Sequence, residues 1–215
     1  ARLVIPRYNW NTQINPKFDM YRPNYSATPA GGGSIGIQTA LGNNGLTSAK
    51  FYVMNNTYEV FKCLYNGESP ANPTGVNVVD EPKSNPTAGQ GTFANGVFTS
   101  ENGNYIWKHL FTLPTGDVLA FLSTDFLPIA ASTEASRTQV EGLAVDGAVH
   151  VAVVKDAGAG LPATDTYYAK IIGDGTGGIV KFTTDGSGSI TGASIQAAGS
   201  GYTYGNVLLK QGNVF

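Results

Sequence analysis

Seven Asn-Gly or Asp-Gly dipeptides punctuate this chain: Asn44-Gly45, Asn66-Gly67, Asn95-Gly96, Asn102-Gly103, Asp146-Gly147, Asp174-Gly175 and Asp185-Gly186. Both halves of such a pair tolerate positive φ, so each marks a tight reversal, and most stand beside β-branched or aromatic runs. Reversals this frequent leave few stretches of helical length, and 28 Gly with 11 Pro in 215 residues oppose long helices further. The expectation is an all-β chain with at most one short helix.

Between the turns, 51–64 and 105–113 are rich in Tyr, Phe, Val, Ile and Trp and read as core strands. In the second, alternation places Tyr105, Trp107, His109 and Phe111 on one face, which should point inward, with Trp107 as its anchor. Pro114 ends that strand. Segments 21–50 and 67–91 carry repeated Pro and Gly and read as loops far longer than the ordinary ~4–6 residues. Residues 132–141 are the one helix candidate, with Thr138 and Glu141 as a possible capping pair.

The texture changes near residue 147: half of the 28 glycines follow that point, and both Trp precede it. This divides the chain into a domain over 1–146 and a small glycine-rich β module over 147–215. Within the module, 149–172 with Gly158-Ala159-Gly160 echoes 190–209 with Gly199-Ser200-Gly201, which predicts a duplicated strand–turn–strand unit offset by 41 residues.

Composition excludes several function classes. Charged residues are only 13%, against about 25% in an average domain. The net charge of −2 comes without basic runs, so no surface is expected for nucleic acid. No apolar stretch approaches the ~20 residues that cross a bilayer as a helix, so no membrane partner is expected. A single cysteine, Cys63, and two distant histidines, His109 and His150, do not make a clustered metal site, and they fit a reducing compartment. The start at Ala1 reads as a fragment or a processed chain.

Individual motifs add little chemistry. Gly173-Asp174-Gly175-Thr176-Gly177-Gly178 has the spacing of a dinucleotide loop, but a strand-like run, Ile179-Val180-Lys181-Phe182, follows where the motif needs a helix N-terminus. Gly32-Gly33-Ser34-Ile35-Gly36 has the spacing of a nucleophile elbow, yet no apolar strand leads into Ser34. Asp80 with Glu81, or Asp117 with Asp125, form carboxylate pairs of the kind any chain with 15 acids contains by chance. His109 and Cys63 fit core positions better than catalytic ones. No catalytic, cofactor-binding or metal residue is therefore expected, and no enzymatic activity.

Three segments then carry a likeness: Val4-Ile5-Pro6-Arg7 with Trp10; Val60-Phe61-Lys62-Cys63-Leu64; and Gly103-Asn104-Tyr105-Ile106-Trp107-Lys108 with Leu110-Phe111 and Pro114. In order and spacing they resemble the baseplate wedge subunit of contractile-tailed T-even-type bacteriophages, the gene-eight product. The likeness covers about the first 130 residues. The chain departs from the family in lacking the strands that precede the first motif and the closing strand. Residues 199–203 look instead like small β repeats of marine phage structural proteins. The resemblance implies a two-layer β-sandwich with long inserted loops, a virion location in the tail baseplate after assembly in the host cytoplasm, a homodimer, and contacts with other wedge subunits. The alternative is a carbohydrate- or receptor-binding tail module with Tyr8, Trp10, Tyr58 and Trp107 as a stacking platform.

Overall fold

The computed structural model describes residues 2–10, 17–21, 49–68, 72, 74–152, 154 and 157–207. The chain divides into two compact units, the first running to Leu143 and the second from Ala144. Among the described residues strands dominate both, with two short helices where at most one is expected, so the fold is all-β.

The first unit is built on a five-stranded antiparallel sheet. Its strands are β2 (Tyr52–Met54), β3 (Glu59–Tyr65), β4 (Thr92–Ala94), β5 (Val97–Thr99) and β6 (Ile106–Thr112), in the order β2-β3-β6-β5-β4. The run expected as one strand over 51–64 is therefore a hairpin. Asn55 breaks it, because its side-chain oxygen accepts from the N–H groups of Thr57 at 3.0 Å and Glu59 at 2.9 Å. A short polar side chain that satisfies nearby donors draws the backbone into a turn even inside an apolar run. Asn95 and Gly96, at φ 52° and 74°, join β4 to β5 as a hairpin turn with positive φ at both central residues.

On β6 the buried and half-buried residues alternate as expected, with Trp107, His109 and Phe111 buried. Trp107 is wholly enclosed and lies in a cluster with Trp10, Phe18, Val53, Phe61, Cys63, Val78, Phe98 and Tyr105. Tyr105 stacks on it at 5.5 Å and Phe18 meets it edge-on at 5.1 Å. A bulge between Val60 and Phe61 shifts the register, and Phe111 joins a different cluster with Tyr52, Met54, Val60, Leu113, Leu127 and Ala130.

The layers around this sheet differ from two facing sheets of equal size. Around Trp107, non-strand segments supply Trp10, Phe18 and Val78. The second cluster is closed by a two-stranded ribbon, β1 (Val4–Pro6) with β7 (Phe126–Pro128), which contributes Ile5 and Leu127. The segment 67–91 is a long loop without a named strand among its described residues, and it is anchored rather than loose. Asn66, fully buried, donates to the Phe18 carbonyl at 3.0 Å and accepts from Glu68 N at 3.1 Å. The Tyr105 hydroxyl donates to the Val76 carbonyl at 2.8 Å. Most of 21–50 lies outside the described residues, as does Asn44-Gly45.

Helix α1 (Thr115–Phe121) was not legible as a helix; Pro114 ends β6 and also stands at the helix N-cap with φ −68°. Proline's fixed φ suits both positions. Helix α2 (Ala135–Gly142) occupies the expected helical segment. The expected cap does not form: Thr138 lies inside the helix and donates to the Glu134 carbonyl at 3.1 Å, while Glu141 pairs with Arg137 at 2.7 Å.

The second unit has a three-stranded antiparallel sheet, β11 (Ile190–Ser200), β10 (Thr176–Thr184) and β8 (Thr166–Lys170), and a small ladder of β9 (Ile172–Gly173) with β12 (Gly205–Asn206). Among the described residues the expected 41-residue duplication does not form. Residues 149–152 form no strand, whereas 190–200 form the longest strand among the described residues, and β11 pairs with β10 rather than with a strand of its own supposed copy. Gly158, Gly160, Gly199 and Gly201 do all take positive φ, so the shared glycine spacing reflects common turn chemistry without common topology.

Candidate functional site

The residues singled out for chemistry do not converge among the described ones. Ser34 lies outside them. His109 is 8% exposed and packs on Phe61 at 5.0 Å between ring centroids; its Nε2 lies 3.3 Å from the Thr112 hydroxyl. Burial holds its imidazole below the ordinary value, against a weaker opposing pull from Glu59. Cys63 is fully buried, and burial pushes its thiol well up, which suits a core residue and not a nucleophile.

The carboxylate pairs are used locally. Asp80 accepts from Glu101 N at 2.9 Å, and Glu81 accepts from Asn56 N at 3.0 Å while pairing with Lys83. Asp117 is buried and takes Arg2 Nε at 3.3 Å. Asp125 uses its carbonyl to accept Arg7 N. No group of three or more His, Cys, Asp or Glu suited to a metal ion occurs among the described residues.

The glycine-rich 173–178 segment has a structural task. A strand, β10, follows it as the sequence indicated. The ring of Tyr202 occupies a slot against it: the Tyr202 hydroxyl accepts from Gly178 N at 3.1 Å and donates to the Ile171 carbonyl at 3.3 Å. A Cβ on Gly178 would lie 3.0 Å from that ring, and one on Gly199 2.7 Å from it. Asp174 closes the far side by accepting from Thr203 N at 3.0 Å and from the Thr203 hydroxyl. The motif is an aromatic socket.

The proposed stacking platform does not assemble. Trp107 is fully buried and Trp10 is 5% exposed, while Tyr8 is half-buried against Tyr52; only Tyr58 presents its ring, at 42% exposure.

Two surface features remain. The first is apolar and lies on β1, β7 and α1: Leu3 is 78% exposed and Leu119 82%, and Val4, Phe121 and Phe126 are also exposed. The elements are tied together, since α1 packs on β7 and Arg2 bonds to Asp117 within α1. Leu122 and Val118 turn into the core, and Leu119 and Phe121 stand exposed on the two flanks of that buried stripe.

The second is a groove of about 240 Å³ between the N-terminal segment and the β2–β3 turn. Arg7, Asn9, Trp10, Asn56 and Tyr58 line it together with Met54 and Asn55. The Trp10 and Met54 backbones hold it closed at the base: Trp10 N donates to the Met54 carbonyl and Met54 N to the Tyr8 carbonyl, each at 2.8 Å. Sequence reasoning named Trp10 and Tyr58 but missed Arg7 and the asparagines, because nothing in their spacing announces that residues 7–10 and 54–58 meet. No protein-family model, no curated protein and no solved structure matches the chain.

Proposed function

We propose that the chain is a structural virion protein, a baseplate wedge subunit of a contractile-tailed phage that works through assembly contacts and not through catalysis. The observation that carries this reading is the number of large apolar side chains left exposed on three adjoining elements, Leu3, Val4, Leu119, Phe121 and Phe126. Large apolar side chains held on neighbouring rigid elements are costly to leave in water and are the usual core of a protein interface. The resemblance of the Val4–Trp10, Val60–Leu64 and Gly103–Pro114 segments to the wedge subunit supports the same reading. It implies a homodimer, further contacts with other wedge subunits, and a place in the tail baseplate after assembly in the host cytoplasm.

Light scattering on the purified chain tests the reading. The expected result is a dimer at micromolar concentration that becomes monomeric in a Leu119→Glu, Phe126→Glu double variant of unchanged circular dichroism. A parent chain that stays monomeric at a hundred micromolar and leaves its melting temperature independent of concentration overturns it.

A further inference from the structure

The groove beside Tyr58 is rich in hydrogen-bond donors that the fold does not use. Arg7 donates through Nε to Asn9 Oδ1 at 2.7 Å and through Nη1 to the Ser123 carbonyl at 2.6 Å. These two bonds fix the plane of the guanidinium and leave Nη2 with no partner. Arg7 makes no ion pair with a described acid. Asn9 spends only its oxygen, so its amide N–H₂ is open, and the Asn56 side chain makes no hydrogen bond. The indole N–H of Trp10, in a residue 95% buried by its 5% exposure, also has no partner. That N–H is enclosed, in a residue of the core around Trp107, so the donors open to the groove are those of Arg7, Asn9 and Asn56.

Opposite these donors stands Tyr58, whose backbone is unusual. It takes φ 62° at the third position of the three-residue loop between Asn55 and Glu59, where glycine is the ordinary choice. A non-glycine residue in that region is strained, because its Cβ crowds the following carbonyl oxygen. The conformation is held by Tyr58 N donating to the Asn55 carbonyl at 3.2 Å and by Leu113 N donating to the Tyr58 carbonyl at 2.9 Å. Its outcome is a ring held at the mouth of the groove instead of in the core. Two carboxylates bond at this turn: Glu81 faces Asn56 N and is balanced by Lys83 at 3.0 Å, and the buried Glu59 is taken up by Asn55 Nδ2 and the Thr57 hydroxyl.

We propose that this groove binds a hexuronate, a sugar ring bearing a carboxylate. The carboxylate would take the free Nη2 edge of Arg7, a charge-assisted bond stronger than a neutral one. Ring hydroxyls would accept from Asn9 and Asn56, and the apolar sugar face would lie on Tyr58. The volume, below the ~300–1,000 Å³ of sites for larger ligands, suits one such ring. The proposal stands independently of the assembly reading.

The test is titration of the full chain with glucuronate, with glucose and acetate as controls, followed through the indole N–H resonances. Saturable movement of the Trp10 signal and not of Trp107 is expected, with glucose and acetate at least tenfold weaker. Arg7→Lys should weaken glucuronate at least tenfold, because lysine cannot keep the planar fork. Tyr58→Gly relieves the backbone, so it should fold with an equal or higher melting temperature and still lose glucuronate at least tenfold. Absence of saturation, acetate binding as well as glucuronate, or unchanged binding in either variant overturns the proposal.

Discussion

Glu59 illustrates what a buried carboxylate requires. It is 7% exposed, and it accepts from Asn55 Nδ2 at 2.7 Å, from the Thr57 hydroxyl at 3.0 Å and from the Ser84 hydroxyl. Burial works to raise its pKa, but the bonds from Ser84, Asn55 and Thr57 together outweigh it and leave the group below its ordinary 4.5. Stability from Glu59 is thus present above that ordinary value and lost as pH falls through the lower folded one. His109 acts earlier. Its folded pKa is depressed below 6.5 by burial, so protonation costs the fold as pH drops beneath 6.5. Chemical denaturation across pH should therefore show loss beginning near pH 6 and continuing below 4.5; Glu59→Gln should remove the lower part of the slope and Thr112→Val should leave it. A second residue-scale expectation concerns Trp107: Trp107→Ala should cost about 3–5 kcal/mol through lost burial and a cavity, read by urea unfolding. A melting temperature within a degree or two of the parent would place the side chain outside the core.

At the scale of elements, what the sequence makes legible is local. The alternation on β6 names its inward face, and the positive φ of Asn95-Gly96 follows from two residue types. The split of 51–64 was also written in the chain, in Asn55-Asn56, but strand propensity on both sides masks it. Helix α1 is hidden for another reason: seven residues are too few to show a periodicity, and its stability comes from packing Val118 and Leu122 into the core. The glycines around Tyr202 misled in the opposite direction, since their spacing looks like a repeat while their cause is one ring. That cause predicts Gly199→Ala. With φ 62° and the Thr176 carbonyl oxygen 2.5 Å from the added Cβ, it should destabilise the second unit by about 2 kcal/mol or more, whereas Gly186→Ala, with open space, should be close to neutral. Separate melting of the two units by near-ultraviolet circular dichroism reads the difference, because Tyr202 loses its rigid surroundings only in the first variant.

For the whole molecule, the groove was the least legible part, since it joins residues 44 positions apart through Trp10 N to the Met54 carbonyl. Contacts of that separation follow from the packing of the sheet and leave no trace in local pattern. The exposed apolar side chains on β1, β7 and α1 are no more legible, because nothing local says that Leu3 and Val4 stay outside. A further whole-chain consequence follows from Cys63. It is the single cysteine, fully enclosed at the centre of β3, beside the strand that carries Trp107. A thiol-specific dye can reach it only when the sheet parts, so the unmodified protein carries its own stopwatch. The dye's uptake, timed in native buffer, counts how often the central strands breathe apart.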